Sequence, residues 1–134
     1  MIVIDIGNTN IVFGVYSKKK LTFTIRIKTN EKMISKKLNQ YFGLKKIDKF
    51  NLDYNNCIIS SVSLIATNEI INFFKKLHFK VLDINTKNIP DIIKFKYAYN
   101  QLGADRIANT FAAINKFKKN ILVVDFGTAT TFDL

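Results

Sequence analysis

Short apolar runs alternate with polar breaks along the first 28 residues. Met1 to Ile6 is an apolar run that ends in Asp-Ile-Gly-Asn-Thr. Ile11 to Tyr16 is a second run. Leu21 to Lys28 reads Leu-Thr-Phe-Thr-Ile-Arg-Ile-Lys, the period of two expected of a half-buried strand. Ser17-Lys18-Lys19-Lys20 is a tight polar connection between the last two runs. The pattern predicts a three-stranded meander.

After residue 28 the period changes. Thr29 or Asn30 is placed to cap a helix from about Glu31 to Phe42, with Met33, Ile34, Leu38, Tyr41 and Phe42 inward. Cys57 to Val62 predicts a strand. Ala66 to Leu77 predicts a helix with Ile70, Ile71, Phe73, Phe74 and Leu77 inward. Phe79 to Ile84 predicts a strand, and residues 85 to 100 read as irregular, with Pro90 among them. Ala104 to Phe117 predicts a helix with Ile107, Phe111, Ala112 and Ile114 on one side, and Ile121 to Phe126 a further strand. Strands alternating with helices late in the chain imply an α/β class with a mixed sheet and helices packed on it.

The strand openings repeat. Val3-Ile4-Asp5-Ile6-Gly7-Asn8-Thr9-Asn10 matches Val123-Val124-Asp125-Phe126-Gly127-Thr128-Ala129-Thr130 at an offset of 125 − 5 = 120. Each copy delivers an Asp to a strand end, then a Gly that lets the backbone turn tightly, then hydroxyl or amide residues. One such Asp-x-Gly fits an ordinary hairpin turn. Two at matching strand ends point to a duplicated domain. A loop of this kind suits phosphate oxygens, and its Asp suits a hydrated Mg²⁺. On this pattern residues 1–120 form one domain. Residues 121–134 form the first strand and hairpin start of a second, homologous and otherwise missing domain.

Composition narrows the classes. The chain has 134 residues, 48% of them hydrophobic, enough for one domain with a core. Cys57 is the single cysteine and sits in an apolar run, so a buried core thiol is expected. The N-terminus carries Asp5 early and lacks a basic region, unlike a signal peptide. No apolar stretch approaches the roughly 18 residues of a membrane span. A cytoplasmic protein with no membrane partner is expected. The net charge of +11 invites a nucleic-acid reading. Its bases are almost all scattered lysines, with only Arg26 and Arg106, and phosphate and base recognition leans on Arg. A solvated surface and no nucleic-acid partner are the expectation. His78, at a predicted helix end among Lys75, Lys76 and Lys80, reads as a surface residue.

Four stretches carry a resemblance: DIGNTNIVFGV at Asp5 to Val15, SSV at Ser60 to Val62, GADRIAN at Gly103 to Asn109, and DFGTATTFD at Asp125 to Asp133. In order and spacing they resemble the N-terminal half of the type III pantothenate kinase family. That family belongs to the superfamily of sugar and acetate kinases, actin and heat-shock ATPases. The resemblance implies a ribonuclease H-like (actin-like ATPase) fold and transfer of the ATP γ-phosphate to pantothenate, the first step of coenzyme A synthesis. It implies roles by residue. Asp5, Ile6, Gly7, Asn8, Thr9, Asn10, Ile11 and Val12 would line the ATP phosphates, Asp5 would help hold Mg²⁺ through water, and Thr128 would touch ATP. Gly103, Ala104, Asp105 and Arg106 would contact pantothenate, with Asp105 accepting the hydroxyl proton. Asp125 would bind a monovalent cation, K⁺ or NH₄⁺. The family's homodimer would be its partner state.

The chain departs from the family in one motif. Relatives carry a Tyr and then Asn-Pro shortly before GADR. Here the stretch is Tyr97-Ala98-Tyr99-Asn100-Gln101-Leu102, without Pro. Either Tyr97 or Tyr99 would be the substrate contact, with Tyr97 favoured. The family's second domain carries adenine and ribose contacts, so a chain without it would hold half a cleft. A non-catalytic nucleotide- or pantothenate-binding remnant and a basic nucleic-acid-binding protein are the alternatives.

Overall fold

The computed structural model describes residues 1–29, 33–52, 55–85, 87, 102–127 and 129–134. They fall into two compact units, Met1–Asp83 and Ile84–Leu134.

In the first unit, β1 (Ile2–Ile6), β2 (Asn10–Ser17) and β3 (Lys20–Lys28) form the expected antiparallel meander. β4 (Asn56–Ser61) lies parallel to β1, and β5 (Lys80–Asp83) parallel to β4, giving the order β3-β2-β1-β4-β5. Parallel neighbours need a long crossover. Helices α1 (Ile34–Phe42) and α2 (Leu44–Ile47) with a 3-10 turn (Asp48–Phe50) lie between β3 and β4, and helix α3 (Leu64–Lys76) between β4 and β5. This is the mixed sheet, part meander and part parallel, that the pattern and the resemblance imply.

The period of two decides which face is buried. Ile2, Ile4 and Ile6 are fully buried, while Asp5 between them is exposed. The buried face joins Phe13, Val15, Cys57 and Ile59 to Leu38 and Phe42 of α1 and to Ile70 and Phe74 of α3. The Phe42 ring lies 5.4 Å from Phe13 and 5.5 Å from Phe74, so it ties both helices to the sheet. Each such side chain contributes roughly 1.5–3 kcal/mol by leaving water. Cys57 is buried as expected, and burial pushes its thiol up to about 12. A thiol held protonated is a poor nucleophile.

Two local expectations are corrected. Helix α1 begins at Ile34, not near Glu31, and Met33 occupies its cap position without a side-chain capping bond. Met33 is exposed instead of inward. Thr29 is not the cap, because the helix starts beyond it, at Ile34, with Met33 in the cap position. Asn30 and Glu31 lie outside the described residues. His78 is exposed with φ 61°, and its N–H donates to Lys75 O at 3.0 Å, so it closes α3 as a surface residue.

The β2–β3 hairpin turns on Lys18 and Lys19, which both take positive φ (47° and 63°). Ser17 pairs with Lys20, so this is a two-residue turn with the sign pattern of type I′. L-residues with a Cβ pay about 1 kcal/mol or more each in that region. Replacing the pair by Asn-Gly (Lys18→Asn with Lys19→Gly) is therefore expected to raise stability by about 1 kcal/mol, since the turn then matches its backbone. Chemical denaturation checks this, and a lower midpoint refutes it.

Among the described residues no helix is long and apolar enough to cross a membrane.

Candidate functional site

In the first unit the loop after β1 is tied back by its carbonyls. Gly7 N–H donates to Asn10 O at 2.9 Å and closes the turn. A Cβ on Gly7 would sit 3.3 Å from that oxygen, a tight contact that glycine avoids. Thr29, just past β3, holds the loop from the other side. Its N–H donates to Thr9 O at 3.0 Å and its hydroxyl to Gly7 O at 2.7 Å. Asn8 and Thr9 are left exposed at the tip. Carbonyls turned into the protein leave a loop tip suited to anions. Thr29→Val keeps the shape but removes the hydroxyl donor. It is expected to cost about 1 kcal/mol in urea denaturation and to speed amide exchange at Gly7. Unchanged exchange would show that the clamp is unimportant.

Asp5 stands beside this loop on the sheet face away from the core. Its register partners are Val12 on β2 and Ser60 on β4.

The second unit is built on helix α4 (Ala104–Phe117) and a hairpin of β6 (Val123–Phe126) and β7 (Thr130–Asp133). Gly103 holds the N-cap position in an extended conformation, and Asp105 falls in the first turn. The Asp105 Oδ1 accepts the Arg106 N–H at 2.9 Å. A Cβ on Gly103 would collide with that same oxygen, so glycine lets the carboxylate fold back over the helix start. Arg106 grips Asp133: its Nε donates to Oδ1 at 3.0 Å and Oδ2 at 3.1 Å, and its Nη2 also meets Oδ1. Asn109, three residues on and so on the same helix face, donates from Nδ2 to Asp125 Oδ2 at 3.0 Å. In β6 and β7, alternation puts Asp125, Thr131 and Asp133 on one face and Val124, Phe126 and Phe132 on the other, where the apolar side chains are exposed.

The two loops share a motif but not one turn: Gly127 N–H donates to Ala129 O at 3.2 Å, two residues on, whereas Gly7 N–H reaches Asn10 O, three residues on. Each Asp sits two residues before that glycine and has a cross-strand hydroxyl partner: Ser60 for Asp5, Thr131 for Asp125. Among the described residues, Ser60 Oγ and Thr131 Oγ1 are the buried side-chain atoms without a hydrogen bond.

Of the residues singled out in sequence, Asp5 to Val12 run from the end of β1 through its turn into β2, all in the first unit. Gly103 to Arg106 and Asp125 are joined through α4 in the second. Tyr97, Tyr99 and Thr128 lie outside the described residues. Thr29, Asn109 and Asp133 were missed as site residues. Asn109 and Asp133 had a signal, because they close the GADRIAN and DFGTATTFD stretches. No three His, Cys, Asp or Glu side chains cluster among the described residues, so a direct metal cage is not built there.

Comparison with known proteins puts this geometry in context. A family model described as type III pantothenate kinase matches residues 1–134. The type III pantothenate kinase of Pelagibacter ubique is 36% identical over 135 residues, covering 100% of this chain and 53% of that protein. Its namesake from Fusobacterium nucleatum is 37% identical over 140 residues, covering 98% of this chain and 54% of the other. That of Citrifermentans bemidjiense is 35% identical over 141 residues, covering 99% and 54%. The chain spans about half the length of these curated relatives. With its Asp-Gly loops and GADR helix start intact and a match along its full length, the chain belongs to the type III pantothenate kinase family.

Proposed function

We propose that this chain supplies the phosphate-binding and proton-accepting half of a kinase that transfers the γ-phosphoryl group of ATP to pantothenate. The product is 4′-phosphopantothenate, which enters coenzyme A synthesis. The observation that carries the reading is the family match over residues 1–134.

On this reading the tied-back loop from Asp5 to Val12 lines the ATP phosphates, and Thr128 adds a further ATP contact. Asp5 fits a cation held through water, because it is a single exposed carboxylate with a buried, unbonded hydroxyl at its side. Mg²⁺ bound there with ATP supplies charge neutralisation on the phosphoryl oxygens. Asp125, oriented by Asn109, holds K⁺ or NH₄⁺. Gly103 to Arg106 receive pantothenate, with Tyr97 or Tyr99 alongside. The Arg106 guanidinium, aligned by Asp133, offers charge to the substrate carboxylate. As the pantothenate hydroxyl oxygen bonds to the γ-phosphorus and the bond to ADP breaks, the hydroxyl proton passes to Asp105. The enzyme works as a cytoplasmic homodimer, without nucleic acid.

The test is direct. Residues 1–134 are combined with the second half of a relative and given ATP, Mg²⁺ and pantothenate. Phosphopantothenate is expected, and its absence from the properly assembled pair would sink the reading.

A further inference from the structure

We propose that Ser60 and Thr131 are positioning residues for the two motif aspartates. Their hydroxyls donate to Asp5 and Asp125 when those carboxylates are drawn onto a cation. The inference rests on the proposed function, in which each aspartate serves a cation.

A buried hydroxyl without a partner is costly, and native folds keep few of them. Alanine at 60 or valine at 131 would fill nearly the same space at no such cost. In this chain the unbonded atoms are not scattered. Ser60 Oγ and Thr131 Oγ1 are the buried side-chain atoms left without a bond among the described residues. Ser60 pairs with Asp5 across the parallel β1–β4 ladder, and Thr131 pairs with Asp125 across the antiparallel β6–β7 ladder. Laterally paired residues project from the same face of a sheet, with strands about 4.8 Å apart. Each hydroxyl is thus one side-chain length from a carboxylate.

The chemistry of the pair is complementary. A hydroxyl has one proton to give, and an ionised carboxylate only accepts. Ser60 is 8% exposed and its oxygen is shut off from solvent, so a protein group must satisfy it. Asp5, by contrast, is exposed. In the second unit Asn109 already takes Asp125 Oδ2, which leaves Oδ1 for Thr131. A charge-assisted bond formed only as the carboxylate turns inward would fix its orientation and relieve the orphan atom together. The recurrence of one arrangement at both strand ends, on ladders of opposite sense, argues for a shared task instead of two packing accidents.

The experiment assembles residues 1–134 with the second half of a relative and titrates the pair with Mg²⁺ and ATP by calorimetry, alongside thermal melts of the ligand-free protein. Ser60→Ala is expected to leave the ligand-free melt unchanged or raised, and to weaken nucleotide binding roughly fivefold to tenfold. On an Asp5→Asn background the same change is expected to add nothing, because Ser60 acts through Asp5. Thr131→Val, which keeps the shape, is expected to raise by a similar factor the K⁺ concentration needed to support binding. A lower melt for ligand-free Ser60→Ala would show a structural bond and overturn the inference. Equal binding by Ser60→Ala and the parent, or full additivity with Asp5→Asn, would overturn it while leaving the kinase reading in place. No binding by the parent protein would overturn both.

Discussion

Asp105→Asn in the assembled enzyme is expected to slow phosphoryl transfer to pantothenate by about 10²–10⁴-fold, the usual range for a lost general base. The substitution is nearly isosteric. The amide oxygen can still accept the Arg106 N–H that Oδ1 accepts now. Helix α4 therefore loses only the interaction of a negative charge with its first turn, roughly 0.3–1 kcal/mol. What disappears is the ability to take a proton. Single-turnover rates and a thermal melt on the same preparation separate the two effects. A rate within about threefold of the parent enzyme would remove Asp105 from the chemistry and reduce it to a helix-start acid.

Asp133→Ala is expected to have the largest effect on stability. The Arg106 and Asp133 side chains are only 25% and 11% exposed, and the pair is joined through Nε and Nη2. Removing the carboxylate leaves a half-buried guanidinium without its main acceptor. Hydrogen bonds to charged groups contribute about 1.5–3 kcal/mol. The hairpin β6–β7 should open more often by that amount, seen as faster amide exchange at Val123–Phe126 and Thr130–Asp133. If Asp133→Ala exchanges like the parent chain, the pair is only a surface contact. Pantothenate affinity should fall as well, since Arg106 would no longer be aligned.

Both results depend on contacts with different legibility in the chain. Asp105 could be read from its place in GADR at a predicted helix start. Its orientation could not, because it depends on the missing Cβ at Gly103. The Arg106–Asp133 pair spans 27 residues, and no local period links the two positions. The misplaced start of α1 has the same origin. Thr29 has the composition of a helix cap, but the meander carries it onto the loop after β1, where its hydroxyl donates to Gly7 O at 2.7 Å, and the helix starts beyond it at Ile34. The Lys18-Lys19 turn is a further case. Its residues favour no particular turn, and the pairing of β2 with β3 imposes the positive φ angles.

Most strands, the three longer helices, most of the buried positions of the first unit and the repeated Asp-Gly motif were legible in sequence alone, while α2 was not and the start of α1 was misplaced. The legible features follow from alternation and helical spacing, which are short-range properties of neighbouring residues. Only the tertiary structure decided which side chains meet across strands: Ser60 beside Asp5, Thr131 beside Asp125, Thr29 on Gly7 and Asp133 on Arg106. Those meetings depend on register and on how elements dock. Both are settled by burying whole apolar faces at once, a condition that no short stretch of the chain contains.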